Sequence, residues 1–172
     1  DLLMRARGLN GCADVVIADL TPGISPELLA GVDGVTASAF FDLVSEDWFD
    51  DFARSVCGVP LLLALSVDGR WRWSPAHDRD NDIMALFARD QRRDKGFGPA
   101  LGGGAAMAMI RILTTHGFMV SSRRADWRLG AADAGLLDAL TRMIAAAVLP
   151  YGLDASDWLA RRRHEIERGV LR

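Results

Sequence analysis

The chain has 172 residues, half of them hydrophobic, and its 20 basic residues against 23 acidic ones give a net charge of −3. That length carries a core for one domain, and a balance on the acid side offers no basic field to recruit nucleic acid. No apolar run approaches the ~20 residues of a bilayer-spanning helix, and the two cysteines, Cys12 and Cys57, lack metal-ligand spacing, which agrees with a reduced, cytoplasmic protein.

Leu2, Leu3 and Ala6 predict the end of an amphipathic helix, closed by Gly8 and an Asn10-Gly11 turn. Asp14 to Asp19 is continuously apolar inside its ends and predicts a buried parallel strand. Ser25-Pro26 predicts the start of a short helix, with Ser25 as cap, and Gly34 to Ser38 the next strand. Ser45 then caps a helix whose first turn carries Glu46 and Asp47, favourable against the helix dipole, and whose inner face is Trp48, Phe49, Phe52 and Val56. Leu61 to Leu65 reads as a central strand, and Asp68-Gly69 as a turn into an arm that alternates Arg70, Trp71, Arg72 and Trp73.

Residues 78 to 94 are dense in both charge signs and read as a surface helix anchored by Ile83, Met84, Leu86 and Phe87. Gly96 to Gly104 is a loop, Ala105 to His116 a buried helix stopped by Gly117, and Phe118 to Arg123 a strand, with a weaker strand at Trp127 to Leu129. Ala131 to Leu149 and Asp154 to Glu167 are two further helices. The whole reads as one domain, with residues 70–104 as an arm or lid and 131–172 as C-terminal helices.

Two strands therefore each run out into a small-polar, acidic turn, and in open α/β sheets that carboxyl edge is where ligands bind. Asp19 either caps the turn after its strand, as Asp often does, or presents its carboxylate to a ligand. Asp42 stands the same way between a helix-entry role and ligand contact. Gly96, Gly98 and Gly102, followed downstream by Arg123-Arg124, imitate a phosphate loop with a 2′-phosphate clamp, but a dinucleotide fingerprint must follow a buried strand and residues 88–95 are too charged for one. Asp78, Asp80 and Asp82 open like a calcium loop and fail it at Ile83 and Arg89. His77, His116 and His164 lie in separate segments, and neither cysteine has a visible activating partner. Trp71 and Trp73 either stack a flat substrate or pack the arm onto the domain, and packing is the better account.

The strand ending in Asp19-Leu20, the Ala/Ser-rich strand Thr36-Ala37-Ser38-Ala39 with Asp42 beyond it, the helix and strand that follow, and the Gly117-Phe118 pair resemble class I S-adenosylmethionine-dependent methyltransferases. The resemblance implies a Rossmann-like α/β sheet with helices on both faces. It implies that Asp19 and Leu20 hold the adenine and that Thr36, Ala37, Ser38, Ala39 and Asp42 lie near the methionine end of S-adenosylmethionine. Asp94, Lys95 and Phe97 would then belong to a lid over the methyl acceptor, Trp71 would be a further substrate contact, and Asp42 or Asp94 would serve as general base. The family's first two strands and glycine-rich turn have no counterpart here, so the chain resembles the later two thirds of such an enzyme. A second copy or another chain segment would supply the missing strands. A cofactor-free scaffold with the same core and an NADP-dependent oxidoreductase are the alternatives; the acceptor is a small molecule or unknown, and no membrane partner is expected.

Overall fold

The computed structural model describes residues 14–64 and 68–172. The helix expected at Leu2–Ala6, the Asn10-Gly11 turn, Cys12 and the end of the Leu61–Leu65 strand lie outside the described residues. Within them the fold is mixed α/β: six α-helices and one two-stranded parallel sheet.

The sheet is built by the segment from Val35 to Ala64. Strand β1 (Val35–Ser38) pairs in parallel with β2 (Leu61–Ala64), in the register Val35 to Leu61 through Ser38 to Ala64. A parallel pair needs a crossover, and helix α2 (Glu46–Ser55) supplies it; the four-residue α1 (Pro26–Leu29) precedes β1. Ser45 caps α2 as its sequence predicts, its Oγ accepting the Trp48 N–H at 3.2 Å. Ser25 occupies the N-cap position of α1 but makes no side-chain cap bond.

Period 3.6 puts Trp48, Phe49, Phe52 and Ala53 on one face of α2. They pack with Phe41, Val44 and Val56 against Met109, Ile112 and Leu113 of α4 (Ala105–Thr115), and Val35, Ala37, Leu61 and Leu63 close this first core from the sheet side. A second core joins α3 (Asp80–Gln91), α5 (Ala134–Val148) and α6 (Ser156–Glu167) through Ile83, Phe87, Ile144, Val148 and Trp158. Trp71 and Trp73 lie against this second core with their rings stacked at 6.2 Å, Trp71 meeting Phe87 edge-on at 5.7 Å.

One fully buried cation holds the second core. Arg162 donates from Nη2 to both oxygens of Asp80 (2.5 and 2.6 Å), and from Nη1 to Glu165 Oε2 (2.7 Å) and the Pro75 carbonyl (2.8 Å). Its guanidinium also lies 5.6 Å from the ring centroids of Trp73 and Trp158, within cation–π range. Burial pushes the Asp80 carboxyl up, but hydrogen bonds from Arg162, Trp158 Nε1 and the His77 N–H outweigh it and hold the group below the usual carboxylate range.

Three strand expectations are corrected. Asp14–Asp19 has no regular secondary structure, and Val16 and Ile17 are 64% and 85% exposed. Phe118–Arg123 and Trp127–Leu129 are likewise irregular. An apolar run becomes a strand only where a neighbour pairs its backbone, and the described residues give these segments no ladder. Among the described residues β2 is likewise an edge rather than a central strand, and their helices cover one sheet face instead of two: Thr36, Ser38 and Leu62 point to the other side, Leu62 being 70% exposed. Of the larger sheet expected from the sequence, the described residues show one β1–α2–β2 unit.

Candidate functional site at the carboxyl edge of the sheet

The chain leaves β1 through a strained residue. Ala39 has φ +51°, while its N–H still donates to the Ala64 carbonyl of β2 at 3.0 Å. A left-handed alanine costs about 1–2 kcal/mol, and such outliers persist where the surroundings over-determine them, often at ligand sites. The turn sends Phe40, Phe41 and Asp42 over the carboxyl ends of the strands.

Three segments converge there. Phe40, Trp48 and Phe97 form a triangle of mutually edge-on rings with centroids 5.5–5.8 Å apart, a geometry favoured by their quadrupoles. Trp48 Nε1 donates to the Leu20 carbonyl at 2.8 Å, which fastens the Asp19–Thr21 turn to the same end of α2. The loop after α3 is stitched to the loop after β1 by backbone bonds: Ser45 N–H to Phe97 O (3.1 Å), Leu101 N–H to Val44 O (2.8 Å) and Gly102 N–H to Asp42 O (2.9 Å).

Glycine makes the tightest approach possible. A Cβ on Gly103 would stand 2.7 Å from the Gly69 Cα and 2.9 Å from its nitrogen, so the Asp68-Gly69 turn and the Gly102–Gly104 3₁₀ turn meet backbone to backbone. No side chain fits between them.

The predicted residues divide accordingly. Asp19 is exposed, and its Oδ1 accepts both the Thr21 hydroxyl (2.6 Å) and the Thr21 N–H (2.9 Å). These bonds, the hydroxyl's first, hold its carboxyl below the usual range and leave Oδ2 without a partner among the described residues. Leu20 packs on the first core. Ala37 faces that core, whereas Thr36 and Ser38 are exposed on the uncovered face. Asp94 organises its own loop, Oδ1 accepting from Gly96 N–H (2.7 Å) and Gly98 N–H (3.1 Å). Lys95 Nζ donates to the Gln91 carbonyl at 2.7 Å. Phe97 sits in the aromatic triangle, and Trp71 belongs to the second core. The site thus gathers Asp19, Leu20, Ala39, Asp42, Asp94 and Phe97, and leaves Trp71 outside.

Asp42 differs from these carboxylates in burial: its Oδ1 is inaccessible to water and has no hydrogen-bond partner among the described residues. Burying such an acceptor without a donor is costly. Gln91 Oε1 is in the same state, and nothing in the charged run around it singled it out. The Gly69–Gly103 contact was visible only as two turn signals. Trp48 read as core, which it is, while its N–H bond to Leu20 joins segments 28 residues apart and leaves no trace in local pattern.

An open depression of about 320 Å³ lies elsewhere, between α2 and α4, lined by Glu46, Asp47, Asp50, Asp51, Arg111 and Ile112. Most of its carboxylates are paired: Glu46 with Arg111 at 2.6 Å, Asp50 and Asp51 with Arg54 at 2.5 and 2.7 Å, and Asp50 also hydrogen-bonds His116 Nε2 at 2.8 Å. It is a solvated ion-pair surface rather than a convergence of unmet groups. Among the described residues no cluster of acidic, histidine or cysteine side chains is arranged to hold a metal, and no helix is long and apolar enough to cross a membrane.

Comparison with protein-family models, with curated proteins and with solved structures finds no match for this chain.

Proposed function

We propose that the protein transfers a methyl group from S-adenosylmethionine to a nucleophile on an acceptor, at the carboxyl edge of β1 and β2. The observation that carries the reading is the buried Oδ1 of Asp42, without a donor among the described residues, set one turn beyond the strained Ala39 that follows a parallel strand whose residues resemble those of the methyltransferases. Parallel sheets bind ligands at this edge, and an orphaned acceptor there fits a donor-bearing ligand.

The residues support named parts of the reaction. Asp19, oriented and kept ionised by Thr21, offers its free Oδ2 to the adenine amino group, with Leu20 as the apolar neighbour. S-adenosylmethionine, when bound, supplies an electrophilic methyl group on a sulfonium. Phe40, Trp48 and Phe97 exclude water from the edge, and the stitched 97–102 loop fixes their positions. Methyl transfer depends mainly on alignment and desolvation, so rigid placement is the chain's main contribution. Asp94, with Oδ1 committed to its loop, has Oδ2 to take a proton from an acceptor that arrives protonated.

The NADP reading has less support. The Gly96–Gly102 segment follows helix α3 rather than a strand, and Arg124 is paired with Asp126 at 2.8 Å. Calorimetric titration of S-adenosylhomocysteine and of NADPH into the protein encoded by the whole reading frame separates them. Saturable binding of the first supports methyl transfer; binding of NADPH with no heat from S-adenosylhomocysteine overturns it.

A further inference from the structure

We infer that helix α5 is a self-association surface, its outer face docking antiparallel onto the same face of a second copy of this chain. The inference stands apart from the methyltransferase reading. Helix α5 turns Leu137, Thr141, Ile144 and Val148 inward, where they are buried. A surface helix then carries polar residues on its opposite face, and α5 does not. Spacings of three and four put Leu136, Ala139, Leu140, Met143 and Ala147 on one outer stripe, with Ala132 just before the helix in line with them. Leu136 is 41% exposed and Met143 48%, and Ala139 between them is exposed as well. No charged residue lies on the stripe, and contiguous exposed apolar faces mark interaction surfaces.

The order of residues along the stripe makes it fit itself. Across an antiparallel pair related by a two-fold axis, Leu136 meets the partner's Met143, Ala139 meets the partner's Leu140 and Ala132 meets the partner's Ala147. Each contact is made twice, as an isologous interface requires, and the alanines give the partner's Leu140 room to seat. Charge selects the same arrangement. Arg142 pairs with Asp138 along one edge of the stripe, and Asp138 also lies 3.3 Å from Arg163 of α6. Antiparallel docking lays that edge along the same edge of the second copy in reversed order, which sets Arg142 level with the partner's Asp138. A parallel two-fold pair would instead set it against the partner's Leu140 side and forfeit the contact. Between α5 and α6 an open depression of about 340 Å³, lined by Asp138, Arg163, Ile166 and Glu167, offers space beside Asp138 for the partner's Arg142.

A single helix pair stands at the small end of specific interfaces, about 1,200 Å² in total, so a dissociation constant on the order of micromolar is expected. Sedimentation velocity of the full chain from micromolar to millimolar concentration reads it. Met143→Glu, which sets a carboxylate in the middle of the apolar contact, is expected to weaken the dimer about a hundredfold or more. Arg142→Glu, which opposes the partner's Asp138 with a like charge, should weaken it about tenfold or more. Circular dichroism checks that both variants fold, and Leu136→Glu repeats the first test from the other end of the stripe. Direction is read by oxidative crosslinking in a Cys12→Ser, Cys57→Ser background. A Leu136→Cys chain and a Met143→Cys chain should link to each other when mixed, and neither to itself. A chain that stays monomeric throughout, a dimer as stable in the three glutamate variants as without them, or a Leu136→Cys chain that links only to itself overturns the inference.

Discussion

Replacing Arg162 by methionine tests the buried network that fastens the arm at 71–80 and helix α3 to helix α6. Arg162 is fully buried, Glu165 is 4% exposed and Asp80 16% exposed at their side chains. Removing the cation strands two carboxylates in a low-dielectric setting, which typically costs about 3–5 kcal/mol. Residual bonds soften the loss: Glu165 keeps Arg161 Nε at 2.8 Å, and Asp80 keeps Trp158 Nε1 at 2.8 Å and the His77 N–H at 2.9 Å. The expected loss is therefore about 3 kcal/mol, the low end of that range. With a urea slope of about 1–3 kcal/mol/M, the unfolding midpoint drops by about 1 M or more. Tryptophan fluorescence reads the transition, since Trp73 and Trp158 flank the guanidinium. Arg162→Lys recovers little, because an ammonium cannot span Asp80, Glu165 and the Pro75 carbonyl in one plane. A loss below about 1 kcal/mol, the range of exposed pairs, would refute the buried network.

Gly103→Ala forces a methyl into the Gly69 backbone and is expected to destabilise by about 1–3 kcal/mol; thermal unfolding checks it, and an unchanged midpoint would show that the two turns do not touch. Ser45→Ala removes the α2 cap and costs about 1 kcal/mol, measured by the same melt. Acid sensitivity follows from Asp80 and Asp50, the latter held low chiefly by the hydrogen bond from His116. Both folded pKa values lie below the unfolded one, so their stabilisation is complete above the ordinary aspartate range and is lost as pH falls from about 4 through the depressed values. Urea midpoints measured from pH 6 to pH 3 should fall over that window, and Asp80→Asn should flatten the slope.

Local chemistry made the helices legible. Ser45 followed by Glu46 and Asp47, the 3.6-residue spacing of Trp48, Phe49 and Phe52, and the apolar Ala105–Thr115 and Ala134–Val148 stretches each state where a helix starts and which face it buries. Strands β1 and β2 were legible for the same reason, their apolar runs being bounded by turn residues. Val15–Ile17 and Phe118–Val120 have the same composition, yet a strand is a relation between segments, and nothing in their own residues tells whether a neighbour is there. Arg162 shows the opposite failure. It lies in an Arg161–Arg163 run that looks solvated, although its spacing of four from Trp158 puts both on one helical face. In the candidate site, Ala39 and Asp42 were legible as residues that follow a strand, whereas the strand expected to end at Asp19 is irregular backbone, and Gln91 and the Gly69–Gly103 contact arise from tertiary closure alone.

Backbone hydrogen exchange with and without S-adenosylhomocysteine tests the central claim most directly, because it locates the ligand rather than merely detecting it. Ligand-dependent protection confined to residues 39–45 and 94–104, with the 19–21 turn, is the predicted result. Protection confined to α5 and α6, or exchange unchanged at saturating ligand, would contradict a cofactor site at the carboxyl edge of the sheet.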